Sequence, residues 1–408
     1  MAESKTLEPT LKRHVHPIAM MVVMTIATAA ISFCMFKFPP IMKYVMMSYE
    51  VDTGLMGLLM SSTNIIGFVF AVAIGYINRS YKPKWTGLIG FLIMALANVI
   101  AASTTNFIVL IISRVIEGAG MGILSNLTIA LVVAYFKGAR ATATAIVNAG
   151  MTAGQVIHYN LSVRLAEKSG NLSGMYTYII ITFVVMAVVM LIFLWREPSL
   201  AAFTPTTEKS ADMVEAEKLK KGEVLKNRSL WLIAAGMFIF NIVMISFNNY
   251  VPTFLQDAKG LDSVSAASLT SVASTIRTFV MIALGILADR IASKRKPAIA
   301  SFVGICIMYL LLAWLPGNLI MVYIILSAIA PASVTVSTYS CYPDIFGDAS
   351  YTPVAHGVVQ TTARLAMLIG SALVGYLIKF LGYTGTIYVI APLALVAAVC
   401  WFFAKEVK

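Results

Sequence analysis

Runs of about twenty apolar residues recur along nearly the whole chain, separated by short polar segments. A helix needs roughly 20 such residues to cross the hydrocarbon core of a bilayer, and a spanning segment must satisfy its own backbone hydrogen bonds. The runs therefore predict an all-α polytopic membrane protein. Six transmembrane spans are expected at about 17–45, 53–77, 85–103, 106–136, 140–164 and 174–195. Six more are expected at about 229–256, 263–289, 297–315, 318–343, 353–379 and 383–404. Composition excludes the rival reading. With 59% hydrophobic and only 12% charged residues, 408 residues cannot solvate the surfaces of two or three soluble domains.

A polar segment at about 196–228 separates the two sets and carries Glu197, Glu208, Asp212, Glu215, Lys218 and Lys220 among its charges. The predicted organisation is a six-helix half over 1–195, a linker over 196–228 and a second six-helix half over 229–408, as in two pseudo-symmetric repeats. Placing both termini inside puts about 21 of the 30 basic residues on the inner side and about five (Lys43, Arg164, Lys168, Lys259 and Lys379) on the outer side. The excess of Lys and Arg in cytoplasmic loops then predicts cytoplasmic termini and linker, in a multi-pass protein of the cell (inner or plasma) membrane. A net charge of +12 thus belongs to loops, and nothing presents it to nucleic acid as a basic domain does.

Cys34, Cys306, Cys341 and Cys400 fall in separate apolar runs, with no histidine at ligand spacing. No metal or cofactor is expected. The first apolar run is too long for a secretory leader and is expected to remain as the first span.

The tail of the eighth span reads Gly285-Ile286-Leu287-Ala288-Asp289-Arg290, followed by Lys294-Arg295-Lys296. It resembles the Gly-x-Leu-Ala-Asp-Arg-x-Gly-Arg-Lys signature of the major facilitator superfamily, with Ala292 where that signature has its second glycine. Gly75-Tyr76-Ile77-Asn78-Arg79, after the second span, is a weaker copy without the acid. Arg114-Val115-Ile116-Glu117-Gly118-Ala119-Gly120-Met121-Gly122 resembles the fourth-helix signature of the same superfamily. The resemblance implies twelve helices in two halves, transport by alternating access, and gating roles for Gly75, Arg79, Gly285, Asp289 and Arg290. The superfamily's antiporter signature expects Gly-Pro in the fifth helix, where this chain has Gly154-Gln155, and this departure weakens a drug-efflux reading.

Four basic residues lie within spans, Lys37, Arg114, Arg277 and Arg364, against one well-buried carboxylate, Glu117. Charge in hydrocarbon is kept for a partner or a substrate, and the surplus of cations calls for an anion. Arg114 and Glu117 share a helix face at i, i+3. They read either as a structural ion pair beside a Gly118/Gly122 packing face or as coupling groups. His158 belongs with the coupling candidates, although a hydrogen-bonded histidine is the better reading. Lys37 lies near Pro39-Pro40, which are expected to loosen the first helix, and both a cavity position and snorkelling outward are open to it. Polar stripes recur at helical spacing: Asn148, Thr152, Gln155 and Tyr159; Asn241 and Asn248; Thr270, Ser274 and Arg277; Ser327, Pro331 and Thr335; His356, Gln360, Arg364 and Ser371. Five such stripes predict a hydrated central cavity.

One basic residue in mid-span in helix eight and one in helix eleven is similar to the arrangement in the oxalate/formate exchanger group, where such a pair holds a dicarboxylate. The expected substrate site is Arg277, Arg364, Gln360, Asn248, Gln155, Lys37 and Tyr159. The expected function is secondary transport of a small organic anion, by exchange or proton symport, in a monomer whose partners are the anionic substrate, a coupling ion or counter-anion, and the bilayer. The alternatives are proton-driven drug or metabolite efflux, inorganic anion transport of nitrate or cyanate, and a non-transporting sensor. No nucleophile or phosphate loop supports an enzyme.

Overall fold

The computed structural model describes residues 15–69, 77, 78, 80–136, 140–198, 222, 224–288, 294–316, 319–346 and 352–404. Among them, each expected span holds a helix and no strand occurs.

Helix α1 (Pro17–Met35) starts on a proline, which suits the first turn because its missing N–H has no helical partner there. It stops where Pro39 and Pro40 withhold two donors, and the chain passes through a 3-10 turn (Pro39–Ile41) into α2 (Met42–Tyr49). The expected loosening of the first span is thus a break at residues 36–38. Four long helices and α3 complete the first half: α3 (Thr53–Val69), α4 (Pro83–Ser103), α5 (Phe107–Tyr135), α6 (Arg140–Ser169) and α7 (Ser173–Phe193). Asn106 caps α5 by accepting from the amides of Ile108 and Val109.

The seventh span is broken as well, and Pro252, in the first turn of the helix beyond the break, is its signal in the sequence. Helix α8 (Arg228–Phe240) runs into a π turn (Asn241–Ser246), and the chain turns at Asn249 and Tyr250 before α9 (Val251–Lys259). Then come α10 (Ser263–Ala288), α11 (Arg295–Trp314), α12 (Ile320–Ser340), the short α13 (Tyr342–Phe346) and α14 (Thr352–Phe403). Helix α14 contains two spans, because Gly382 (φ 70°, ψ 177°) folds it into two arms; only glycine adopts that conformation without strain.

Seven of the described helical segments are long and apolar enough to cross a membrane, and α3 and α8 are shorter apolar helices. Ile18, Val22, Ile26, Ile181, Val185 and Val188 exemplify the apolar side chains left exposed along α1 and α7, as a lipid-facing exterior requires. Helices α6 and α10 are absent from that set because polar stripes run along them, and these two pack against each other. The other main packing between the sequence halves is α3 on α14.

Alternate helix ends meet at two opposite faces. On the linker face, where α7 ends and α8 begins, Lys84 lies over the Trp195 ring at 3.7 Å, and Arg295 donates to the Phe402 carbonyl. On the far face, ion pairs Lys43–Asp257 and Lys379–Asp52 (2.8 Å) cross between the sequence halves. Just beneath them, Thr53 donates to the Gly375 carbonyl at 3.0 Å. The backbones of α3 and α14 approach so closely here that a Cβ on Gly57 would strike the Ser371 carbonyl, and one on Gly375 that of Thr53. Further in, Ser268 donates to Asn160 at 2.7 Å, and the hydroxyls of Thr152 and Thr278 share a 2.8 Å hydrogen bond. The far face is therefore closed across the halves.

Candidate functional site

The in-span charges separate into two groups. Lys37, at the break after α1, donates to Glu117 Oε2 and to Asn98 Oδ1, both at 2.7 Å. Arg114 donates to the same Glu117 oxygen at 2.5 Å and to the Cys34 carbonyl at 2.9 Å, while Asn98 donates to Glu117 Oε1 at 2.7 Å. Lys37, Asn98, Arg114 and Glu117 are all at most 1% exposed. Burying a charge is costly unless it is paired, and here one carboxylate serves two cations, for a net charge of +1. His158 Nε2 meets the Lys37 carbonyl at 3.2 Å, and its Nδ1 is bonded to the Tyr178 hydroxyl. A carbonyl accepts only, so Nε2 carries the proton and Tyr178 donates to Nδ1.

This cluster corrects one expectation and extends another. Lys37 neither snorkels nor reaches the cavity, because Glu117 and Asn98 hold it inside the first half. Arg114 and Glu117 do pair at i, i+3, yet Glu117 is shared and leaves the pair with a third member. Asn98 escaped the sequence reading; its only signal was a lone carboxamide within the third apolar run.

The second group faces a central cavity of about 200 Å³ between the sequence halves, small enough to favour a small solute. Both helix breaks reach it, through Met35 and Phe36 on one side and Asn248 and Asn249 on the other. Arg277 on α10 is the cation of its lining. Its Nε donates to the Ser327 carbonyl of α12 at 3.2 Å. That carbonyl is available because residue 331, which should supply its helical N–H, is proline. Among the described residues Arg277 makes no other hydrogen bond and no ion pair.

Polar side chains surround the guanidinium. Ser274, Thr335 and Thr63 turn their hydroxyls back to backbone carbonyls of their own helices, and Asn249 donates to Ser371 at 3.0 Å. Gln155, Asn64 and Asn248 are different. Gln155 is 4% exposed and its buried Nε2 has no partner. Asn64 and Asn248 make no side-chain hydrogen bond among the described residues. Ser246 turns its hydroxyl to the Asn241 carbonyl, and the rest of the wall is apolar, chiefly Met60, Met244, Met367 and Phe240.

Of the expected substrate residues, the structure brings together Arg277, Gln155 and Asn248. Tyr159 is 1% exposed behind the wall, edge-on to Phe36 at 6.1 Å. Arg364 is exposed and Gln360 half-buried on α14, and neither lines the cavity. Met367 does, so Arg364 stands three residues, about 4.5 Å of helical rise, nearer the linker face on the same stripe. The two arginines therefore do not form one clamp here. The gating expectations at Gly75, Arg79, Asp289 and Arg290 lie outside the described residues. Gly285 falls within α10, but its surroundings are likewise undescribed. Asn78 donates to the Ile123 carbonyl at 2.9 Å.

Comparison with known proteins agrees with this architecture. The chain is 25% identical over 369 residues to a hexuronate transporter of Bacillus subtilis (strain 168), covering 84% of each protein. It is 23% identical over 253 residues to a probable nitrate transporter, NarT, of Staphylococcus epidermidis, covering 62% of this chain and 61% of that one. Among solved structures, a bacterial homologue of the human lysosomal transporter Spinster, inward-facing and unoccupied, superposes with a TM-score of 0.78 at 14% identity, over 96% of this chain and 98% of that one. The nucleoside transporter NupG superposes at 0.72 and 15% identity, over 95% and 98%. The family model described as Major Facilitator Superfamily matches residues 24–350 and 284–408. The chain belongs to the Major Facilitator Superfamily, and is a multi-pass membrane transporter, not an enzyme.

Proposed function

We propose that this transporter moves a small organic anion bearing a carboxylate, by alternating access, with Arg277 as its anchor. One observation carries the proposal: the cavity wall holds a guanidinium tethered through Nε alone, with no carboxylate beside it among the described residues. A carboxylate in a fork of N–H donors makes charge-assisted hydrogen bonds that strengthen where water is excluded. The likeness to a hexuronate transporter supports an organic acid. Arg364, one turn nearer the linker face, attracts the anion along the path to the cavity. The closed far face fits an inward-facing state with the linker on the cytoplasmic side. In this reading the chain works as a monomer, and Glu117, Arg114 and His158 serve coupling from within the first half, through the α1 break that joins Lys37 to Met35 and Phe36.

Efflux of cationic drugs is less well supported, since the cavity presents a cation. Nitrate is a second reading, favoured by the NarT likeness. The test is thermal-shift titration of purified protein with hexuronates, other carboxylates and nitrate, on wild type and Arg277→Gln. Loss of ligand stabilisation in the variant is expected. Stabilisation equal to wild type overturns the anion site, and a response to nitrate alone selects the inorganic reading.

A further inference from the structure

Three carboxamides without protein partners among the described residues face the same cavity as the Arg277 guanidinium: Asn64 on α3, Gln155 on α6 and Asn248 at the α8–α9 break. We infer that they form a neutral subsite for hydroxyl groups, so that the substrate is a singly charged, polyhydroxylated carboxylic acid and not a dicarboxylate. The inference rests on the anion reading of Arg277.

The argument is one of matching groups. A carboxamide offers both a donor and an acceptor, which a hydroxyl satisfies and a second carboxylate does not, because a carboxylate only accepts. Gln155 Nε2 is buried without a partner, a state that costs free energy until a ligand acceptor arrives. Ser274, Thr335 and Thr63 already spend their hydroxyls on backbone carbonyls, and Asn249 spends its N–H on Ser371, which leaves these three as the carboxamides whose N–H donors are open to a ligand. A second carboxylate entering beside them meets no second cation, since Lys37 and Arg114 are closed off on Glu117 and Arg364 stands off the lining. Its desolvation goes uncompensated. The three amides come from both sequence halves, with Asn248 at the α8–α9 break, so a hydroxylated ligand touching all of them bridges the halves as Arg277 alone does not.

The experiment is binding, by calorimetry on the purified full chain, of D-glucuronate, D-glucarate (the same skeleton with carboxylates at both ends) and hexanoate (one carboxylate, no hydroxyls). On wild type, glucuronate is expected to bind roughly tenfold or more tightly than either of the others, as a site built to hydrogen-bond a group discriminates against its absence. Gln155→Leu is expected to weaken glucuronate roughly three- to tenfold, the loss of about one hydrogen bond, and to leave hexanoate within twofold. Arg277→Gln is expected to weaken both. Equal binding of glucarate and glucuronate on wild type overturns the inference, and so does an equal loss of glucuronate and hexanoate in Gln155→Leu. If Gln155→Leu does not fold, the wild-type comparison alone decides. Wild-type-like binding in Arg277→Gln instead overturns the anion reading, and silence of wild type toward all three acids overturns both.

Discussion

Arg277 and Ser327 are joined by a hydrogen bond that a proline makes possible: the guanidinium Nε donates to a carbonyl at 3.2 Å whose own helical donor is missing at Pro331. The bond fixes the side chain by one nitrogen and leaves the terminal nitrogens toward the cavity. Pro331→Ala returns an N–H to α12 and lets Ser327 close its helical bond. The expected result is weaker ligand binding, by roughly three- to tenfold for one lost tether, in a protein whose melting temperature without ligand is equal or higher, since an interior proline disfavours a helix. Binding and melting temperature measured on the same preparation check this; a drop in both marks Pro331 as structural.

The buried cluster makes a second prediction about order. Glu117→Gln leaves Lys37 and Arg114 as two like charges without an anion, and breaking a buried pair from one side costs about 3–5 kcal/mol. Lys37→Met removes the surplus cation and leaves Arg114 on Glu117 at 2.5 Å. The expected ranking of melting temperatures in detergent is wild type near Lys37→Met, with Glu117→Gln far below. The reverse ranking shows that the carboxylate is already protonated in the folded protein.

These two sites show what the chain reveals in sequence and what it hides. The helices were legible because apolar runs of bilayer length admit little else, and the break in α1 was legible in Pro39-Pro40. Arg277 stood out as a charge in an apolar run. Partnerships were not legible, because Lys37 and Glu117 are 80 residues apart and helical spacing reports only the face a residue occupies on its own helix. The same limit explains Arg364: its stripe points the right way, but one turn along the axis separates it from the lining at Met367. The π turn at 241–246 has no breaker residue of its own, although Pro252 marks the turn that follows it, and Asn241 and Asn248 fit a polar stripe equally well on an unbroken helix.

A third prediction concerns orientation. With all four cysteines replaced, a cysteine at Ser263, which begins α10 on the far face, is expected to react with an impermeant maleimide added to intact cells. One at Ser210 in the linker is expected to react only after the membrane is opened. Labelling of the linker position from outside reverses the assigned topology.

The last prediction concerns the far-face latch. Lys43–Asp257 and Lys379–Asp52 cross between the sequence halves, and their side chains are 36–43% exposed, so water screens each pair and makes it a weak tether. A weak tether can bias two conformations a few-fold without locking them. A cysteine at Thr253, 2% exposed in this closed state, reports opening through its labelling rate in a cysteine-free background. Asp52→Lys and Lys379→Asp are each expected to raise that rate a few-fold, and the exchanged pair carrying both to restore it. High salt should raise the wild-type rate through screening. The Lys379 ammonium, with the Leu55 amide, holds the Asp52 carboxyl below its ordinary range. A carboxylate whose folded pKa is depressed stabilises the closed form above its ordinary pKa of about 3.9 and loses that contribution only as pH falls through the lowered value. The labelling rate, corrected for thiolate content, is therefore expected to stay flat from pH 8 to about pH 5. A double exchange that labels as fast as either single reversal would show that these ions lie at the gate without holding it shut.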